Sequence, residues 1–380
     1  MSSWPPNPFV YDRPLPPDEL IDREDEVELL LGLADAGQTA RLSGPRRYGK
    51  TTLLRKLLEE ADKRGLATVY VDFDRVVSLE GASERIEAAY RRQLQGPVRR
   101  TAANVIRTLR PRIGAGAAGV RGEIAPTIER DARRVLERML DLPIDIYKKH
   151  GKRTLVAFDE FQDVLRVGAE AEGLIRSHIQ HQAVEAAYVF AGSHPGLMLA
   201  VFSDRERPLF GQSRPIQLGP LDDSSLGDYI ETRFAQTGRE AGDALDSLLA
   251  LVRGHPQRAM LIAHHLWEAT PRGQTADLDT LAIALEAVDR ELREAFERTW
   301  ERLRTNEARA LAALAASEES LFHQRTLGHF GLSKSGAEHG RDKLIEYGEV
   351  QRLEDARLVI VDPLLERWVR RTQTQDEIPG

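Results

Sequence analysis

Apolar positions recur along the chain in two alternating rhythms. Short β-branched or continuous apolar runs, Ala40-Arg41-Leu42-Ser43, Ala67 to Phe73, Arg153 to Asp159, Tyr188 to Ser193 and Pro215 to Leu218, predict five strands. The runs around 155–158 and 188–191 lack polar alternation, as strands buried on both faces do. Leucines at helical spacing predict a helix ending near Ala34 and another over Thr51 to Ala61; a third is predicted from Thr127 to about Lys149. Strands alternating with helices imply a mostly parallel sheet with right-handed crossovers.

Beyond Gly219-Pro220-Leu221 the strand signals stop. Helices are predicted over 222–237, 241–253, 256–269 and 277–302, the last a Glu- and Arg-dense linker. Helices over 306–316, 322–330 and 334–347, an alternating stretch from Val350 to Asp362 and a short helix around Trp368 then read as three helices and a β-ribbon, a winged helix. The proline-rich first seventeen residues are expected to lie extended over the surface, since proline blocks helix. Pro111 to Ile124 is too glycine-rich for helix and reads as a hairpin or mobile loop.

The chemistry begins at Gly44-Pro45-Arg46-Arg47-Tyr48-Gly49-Lys50-Thr51, which fits G-x-x-x-x-G-K-[ST] without mismatch, between a predicted strand and helix. In such a loop the glycines let successive N–H groups converge on a β-phosphate, and the helix that follows, through Thr52, points its positive end at the same anion. Lys50 supplies a charge at the β/γ oxygens and Thr51 a hydroxyl to Mg²⁺. The second half of the site is Asp159-Glu160, ending an apolar strand at the edge where open α/β sheets hold ligands. Asp159 there holds the magnesium through water, and Glu160 polarises the attacking water.

Composition narrows the setting. The 380 residues contain no cysteine, which excludes disulfides, thiol catalysis and cysteine-ligated zinc. No apolar run is long enough for a membrane span and no signal-peptide layout is present, so a soluble cytoplasmic protein is expected. His178-x-x-His181 and His264-His265 have no third ligand nearby in sequence and read as solvated or packed histidines. The net charge of −7 argues against a chain basic throughout, yet residues 85–112 carry +7, either a solvated helix face or an anion or partner surface. Residues 303–371 hold eleven basic and eleven acidic residues, weak electrostatics for DNA.

Several segments together, NPFVYDRPLPP, IDRE, GPRRYGKTTLL, AFDEFQDV, AGSHPGLM, RPLFGQSRPIQLGPL, GHPQRAM and DPLLERWV, resemble the archaeal-type AAA-like ATPases of the STAND branch of P-loop NTPases, which are related to replication-initiator ATPases. The resemblance spans nearly the whole chain. It implies sheet order 5-1-4-3-2, a helical lid and a winged helix. It also implies that Ser193 senses the γ-phosphate, that Ile21 to Arg23 lie near the adenine, and that Gln162 accompanies the acidic pair. Pro256 and Arg258 take the lid position, with Gln257 competing for the arginine-sensor place. Arg207 or Arg214 is either an arginine finger or a cap of the fifth strand.

The chain is therefore expected to be an α/β P-loop protein with a core over 1–220, including an excursion over 78–151, a lid and linker helix over 221–302, and a winged helix over 303–380. Its expected role is an ATP- and Mg²⁺-dependent ATPase switch of low turnover. Nucleotide state would control docking of a DNA or protein partner, without membrane insertion and with nucleotide-dependent oligomerisation. The alternative is a nucleotide-gated scaffold with little turnover.

Overall fold

The computed structural model describes residues 6–109, 124–317, 319–353 and 355–373. The hairpin or loop expected over 111–124 therefore lies outside the described residues, except Ile124. Two compact units form: a sheet unit, Arg23–Gly44 and Lys50–Leu218, and a helical unit, Met1–Asp22, Pro45–Gly49 and Gly219–Gly380.

The sheet unit runs α1 (Glu24–Asp35), β1 (Ala40–Ser43), α2 (Lys50–Lys63), β2 (Ala67–Asp72), α3 (Leu79–Gln93), α4 (Gly96–Leu109), α5 (Ile124–Leu140), α6 (Leu142–His150), β3 (Thr154–Asp159), α7 (Ala169–Ile179), β4 (Ala186–Gly192), α8 (Pro195–Ser203) and β5 (Arg214–Gln217). Its five strands are parallel in the order β2-β3-β4-β1-β5, the expected order read from the other edge. Every residue of β3 and β4 is buried, which is why those strands read as unbroken apolar runs; β2 alternates buried and half-buried positions. Leu53, Leu54 and Leu57 of α2 are fully buried, so the leucine spacing of that helix is core packing.

The single helix expected over 127–149 is two, α5 and α6. Pro143 sits in the first turn of α6, where its missing N–H is tolerated, and could not have continued α5 without loss of a helical bond. The arginine-rich stretch, not assigned to elements from the sequence, forms the end of α3 and the whole of α4.

The helical unit contains α9 (Asp223–Gln236), α10 (Ala244–Val252), α11 (Pro256–Ala269), α12 (Leu278–Glu301), α13 (Thr305–Ala316), α14 (Gln324–His329), α15 (Lys334–Tyr347), the antiparallel ribbon β6 (Val350–Arg352) and β7 (Leu358–Ile360), and α16 (Pro363–Thr372). Leu226, Ile230, Phe234, Leu248, Leu261 and Leu266 build its core. The N-terminal segment is not wholly superficial. Phe9 is buried against Phe234, their ring centroids 5.4 Å apart, and its carbonyl bonds to His264 Nδ1 at 2.8 Å. Among the described residues no helix is long and apolar enough to cross a membrane.

Candidate active site

Parallel pairing brings three separate sequence segments to one sheet edge. Ser43 of β1 lies in register with Gly192 of β4, Phe158 of β3 with Phe190 of β4, and Asp72 of β2 with Asp159 of β3. The carboxyl ends of these strands thus present Gly44, Asp159-Glu160 and Ser193 side by side, where open α/β sheets hold their ligands.

Within the sheet unit, the buried Lys50 ammonium donates to the Gly44 carbonyl at 2.9 Å, so the loop closes on its own lysine. Thr51, one residue on, donates from Oγ1 to Asp159 Oδ2 at 2.8 Å. Tyr70 donates its hydroxyl to the same oxygen at 2.7 Å, and the Glu160 N–H donates to Oδ1 at 3.0 Å. Burial raises the Asp159 pKa above the usual carboxylate range, against the pull of the Tyr70 and Thr51 hydrogen bonds. Tyr70 was not singled out in the sequence. It stands opposite Ala157 and reaches Asp159 along the diagonal between neighbouring strands, a relation visible only once register is known. The signal that could have found it is a tyrosine on the half-buried face of an otherwise aliphatic strand.

Glu160 takes a left-handed backbone, φ +50°, which turns its side chain toward β4. There Ser193 Oγ donates to Glu160 Oε2 at 2.6 Å, and Gln162 Nε2 donates to the same oxygen. The Ser193 N–H donates to Gln162 Oε1 at 3.2 Å, closing the group of three. Gly192 makes this approach feasible: a Cβ there would stand 2.6 Å from Gln162 Oε1 and 2.5 Å from Met198. Thr52 is buried in the first turn of α2, and Arg23, at the start of α1, pairs with Glu26 at 3.0 Å.

Of the finger candidates, Arg207 is paired with the buried Glu172 at 2.5 Å. Arg214 opens β5 beside Ala40, at the amino end of the sheet, and is exposed. His178 bonds Asp141 at 2.7 Å and, in the helical unit, His265 bonds Glu291 at 2.9 Å, so both are engaged by carboxylates.

The helical unit holds the middle of the phosphate loop. Arg47 and Gly49 have φ of +65° and +84°, the second a value suited to glycine. The buried Tyr48 ring lies 4.9 Å from that of His255, the N-cap of α11, whose Nδ1 accepts the Arg258 N–H at 3.4 Å. Pro256 opens α11. Arg258, expected at the lid position with Gln257 competing for the sensor place, is buried with its guanidinium forked on Asp362, the N-cap of α16: Nε donates at 2.9 Å and Nη2 donates to the second oxygen, while Nη1 has no hydrogen-bond partner among the described residues. Gln257 instead donates to the Tyr11 carbonyl at 3.2 Å. Asp362 was not singled out from the sequence; its signal is an aspartate before proline at a helix start.

Burial pushes the His255 pKa down to about 4, aided by Arg258 and Arg47 and opposed by Asp362. The folded state keeps His255 neutral while the unfolded chain takes up its proton near pH 6.5. This contribution to stability is thus complete above pH 6.5, shrinks as pH falls toward 4 and is flat below. Its full size is roughly 3 kcal/mol. Denaturant unfolding of wild type and His255→Asn between pH 7 and 4 measures it, because asparagine preserves an N-cap acceptor without the titration. The variant is expected to lose less stability over that range, and equal losses would remove His255 as the source.

Residues 20–261 match the family of ATPase domains found predominantly in Archaea. No curated protein matches the chain. Among solved structures, the chain is similar to a Walker-type ATPase of Pyrococcus abyssi, with TM-score 0.65 and 17% identity over 95% of this chain and 99% of that one. It is also similar to the ORC2 protein of Aeropyrum pernix in ADPNP–ADP complexes, with TM-score 0.57 and 19% identity over 98% and 99%. At these identities the likeness establishes the fold.

Proposed function

Because this chain belongs to the family of ATPase domains found predominantly in Archaea, we propose that it is a magnesium-dependent ATP-hydrolysing switch of the STAND branch, whose nucleotide state controls docking of a DNA or protein partner. The observation that carries the catalytic part is the convergence of Lys50, Thr51, Asp159, Glu160 and Ser193 at one sheet edge.

The N–H groups of Gly44 to Thr51 and the Lys50 charge bind the phosphates. Thr51 Oγ1 and Asp159 Oδ2 offer hard oxygens 2.8 Å apart, a donor set that suits Mg²⁺, with Tyr70 fixing the carboxylate through the same Oδ2. When bound, the ion would neutralise charge on the phosphate oxygens. Glu160 accepts a proton from the attacking water, and Ser193 and Gln162 orient its carboxylate. Arg23 is assigned to the nucleoside end, and Pro256 and Arg258 to the lid response. Of the two finger candidates, Arg214 is the one not held by a carboxylate among the described residues, and we assign it to a neighbouring protomer in a nucleotide-dependent oligomer.

We assign the roles to the boundaries read from the sequence, a core over 1–220, a lid and linker helix over 221–302, and a docking winged helix over 303–380, although Met1–Asp22 and Pro45–Gly49 group with the helical unit. The test is partner capture by a Glu160→Gln variant loaded with ATP or with ADP. Retention in the ATP form alone is expected, and equal retention in both forms would defeat the switch.

A further inference from the structure

We infer that α4 and α6 form a binding surface for the phosphate backbone of duplex DNA, independent of base sequence. The choice of DNA rests on the partner reading above, but the surface stands on its own geometry and not on the ATPase chemistry.

Many arginines outside this region are neutralised locally. Arg64, Arg133, Arg233, Arg298 and Arg302 each meet a carboxylate at 3.1 Å or less. Within the +7 stretch itself, Arg91 pairs with Glu87 at 2.7 Å, and Arg85 turns back to the carbonyls of Asp72 and Asp74. These two are therefore structural. The cations of α4 and α6 behave differently. Helix α4 has no acidic residue in its 14 positions and exposes Arg99, Arg100 and Arg107. The last turn of α6 exposes Lys148 and Lys149. Among the described residues none of these five has a carboxylate partner.

The two helices pack side by side, tied by Thr101 Oγ1 and His150 Nε2 at 2.8 Å. An open groove of about 470 Å³ runs between them, lined by Thr101, Asn104, Arg138, Asp145, Lys148 and Lys149, with Val105. Its single carboxylate, Asp145, is already engaged by Arg138 at 2.7 Å. Arg100 and Arg107 are one heptad apart, within about 20° of one another around the helix, so both flank the groove on one face. A chain of net charge −7 thus sets four unneutralised cations, Arg100, Arg107, Lys148 and Lys149, in or beside this groove, with Arg99 on the far face of α4. Their mutual repulsion is relieved by an external polyanion, and release of counterions from DNA would drive the association.

The same surface discriminates against other occupants. Protein interface cores are depleted in lysine and centre on aromatic anchors, and this groove has two lysines and no aromatic lining. Single strands are gripped by stacking bases on aromatic rings, again absent from the lining. Hydroxyl, amide and cationic donors without base-reading geometry fit phosphate contact.

Full-length chain is titrated with a labelled random-sequence duplex by fluorescence anisotropy over a range of salt. Replacing Arg99, Arg100, Arg107, Lys148 and Lys149 by alanine is expected to weaken low-salt binding more than tenfold and to flatten the slope of log K against log salt by up to about 0.9 for each phosphate no longer neutralised. The triple Arg→Lys variant at 99, 100 and 107 should keep the wild-type slope, which separates charge from misfolding. Alanine at Lys334, Arg341 and Lys343 of α15 should change the slope less, and ATP turnover without DNA should be unchanged in the α4/α6 variant. Absence of salt-sensitive binding in wild type, an unchanged slope in the five-fold variant, or equal competition by polyglutamate would each overturn the DNA surface. None of these outcomes bears on the nucleotide-dependent capture by Glu160→Gln, so the two readings fail separately.

Discussion

Glu160→Gln is expected to lower ATP turnover by at least about 10²-fold while leaving ATP affinity close to wild type. A glutamine at 160 offers one carbonyl oxygen to the Ser193 hydroxyl and the Gln162 amide, so the three-residue group survives, but an amide cannot take a proton from water. Lys50→Ala supplies the contrast, because it removes the charge from the loop and is expected to abolish nucleotide binding itself. Equilibrium binding of a fluorescent ATP analogue and phosphate release, measured on both variants, distinguish the two effects. Equal turnover in wild type and Glu160→Gln would remove Glu160 from its assigned role.

The second large effect is on stability. Asp362→Ala strips the buried Arg258 guanidinium of its forked partner and deletes the acceptor that caps Leu364 and Leu365 at the start of α16. Leaving a buried charge uncompensated costs about 3–5 kcal/mol, and a lost N-cap about 1 kcal/mol. The alanine variant is expected to unfold at markedly lower urea, and Asp362→Asn, which keeps the cap but not the charge, at an intermediate concentration. A loss below about 1 kcal/mol for the alanine variant would show that Arg258 finds another partner.

How much of this was legible in the sequence depended on whether the interacting residues are neighbours along the chain. The phosphate loop is contiguous, and its strand and helix flanks announce it. Asp159-Glu160 was visible because fully buried parallel strands read as unbroken apolar runs that end in the residues they present. The sheet order came from resemblance and agrees with the pairing found. The partners of Tyr70 and Asp362 were not legible for the opposite reason, since one is reached through strand register and the other across 104 residues. The charge count over 85–112 does not coincide with the set of exposed, unpaired cations on α4 and α6. Arg85 and Arg91 are tied down locally, and Lys148 and Lys149, which complete the exposed group, lie far outside the counted window.

The strand order has a consequence for biosynthesis. β1 is hydrogen-bonded on one side by residues 186–192 and on the other by residues 214–217, all made much later than itself. At about 5–20 residues per second on the ribosome, β1 waits on the order of 10–30 s for its second neighbour. Until then the Gly44–Thr51 segment has no sheet edge to spring from, and a nascent chain halted before residue 186 would carry the complete phosphate-loop sequence without a folded loop.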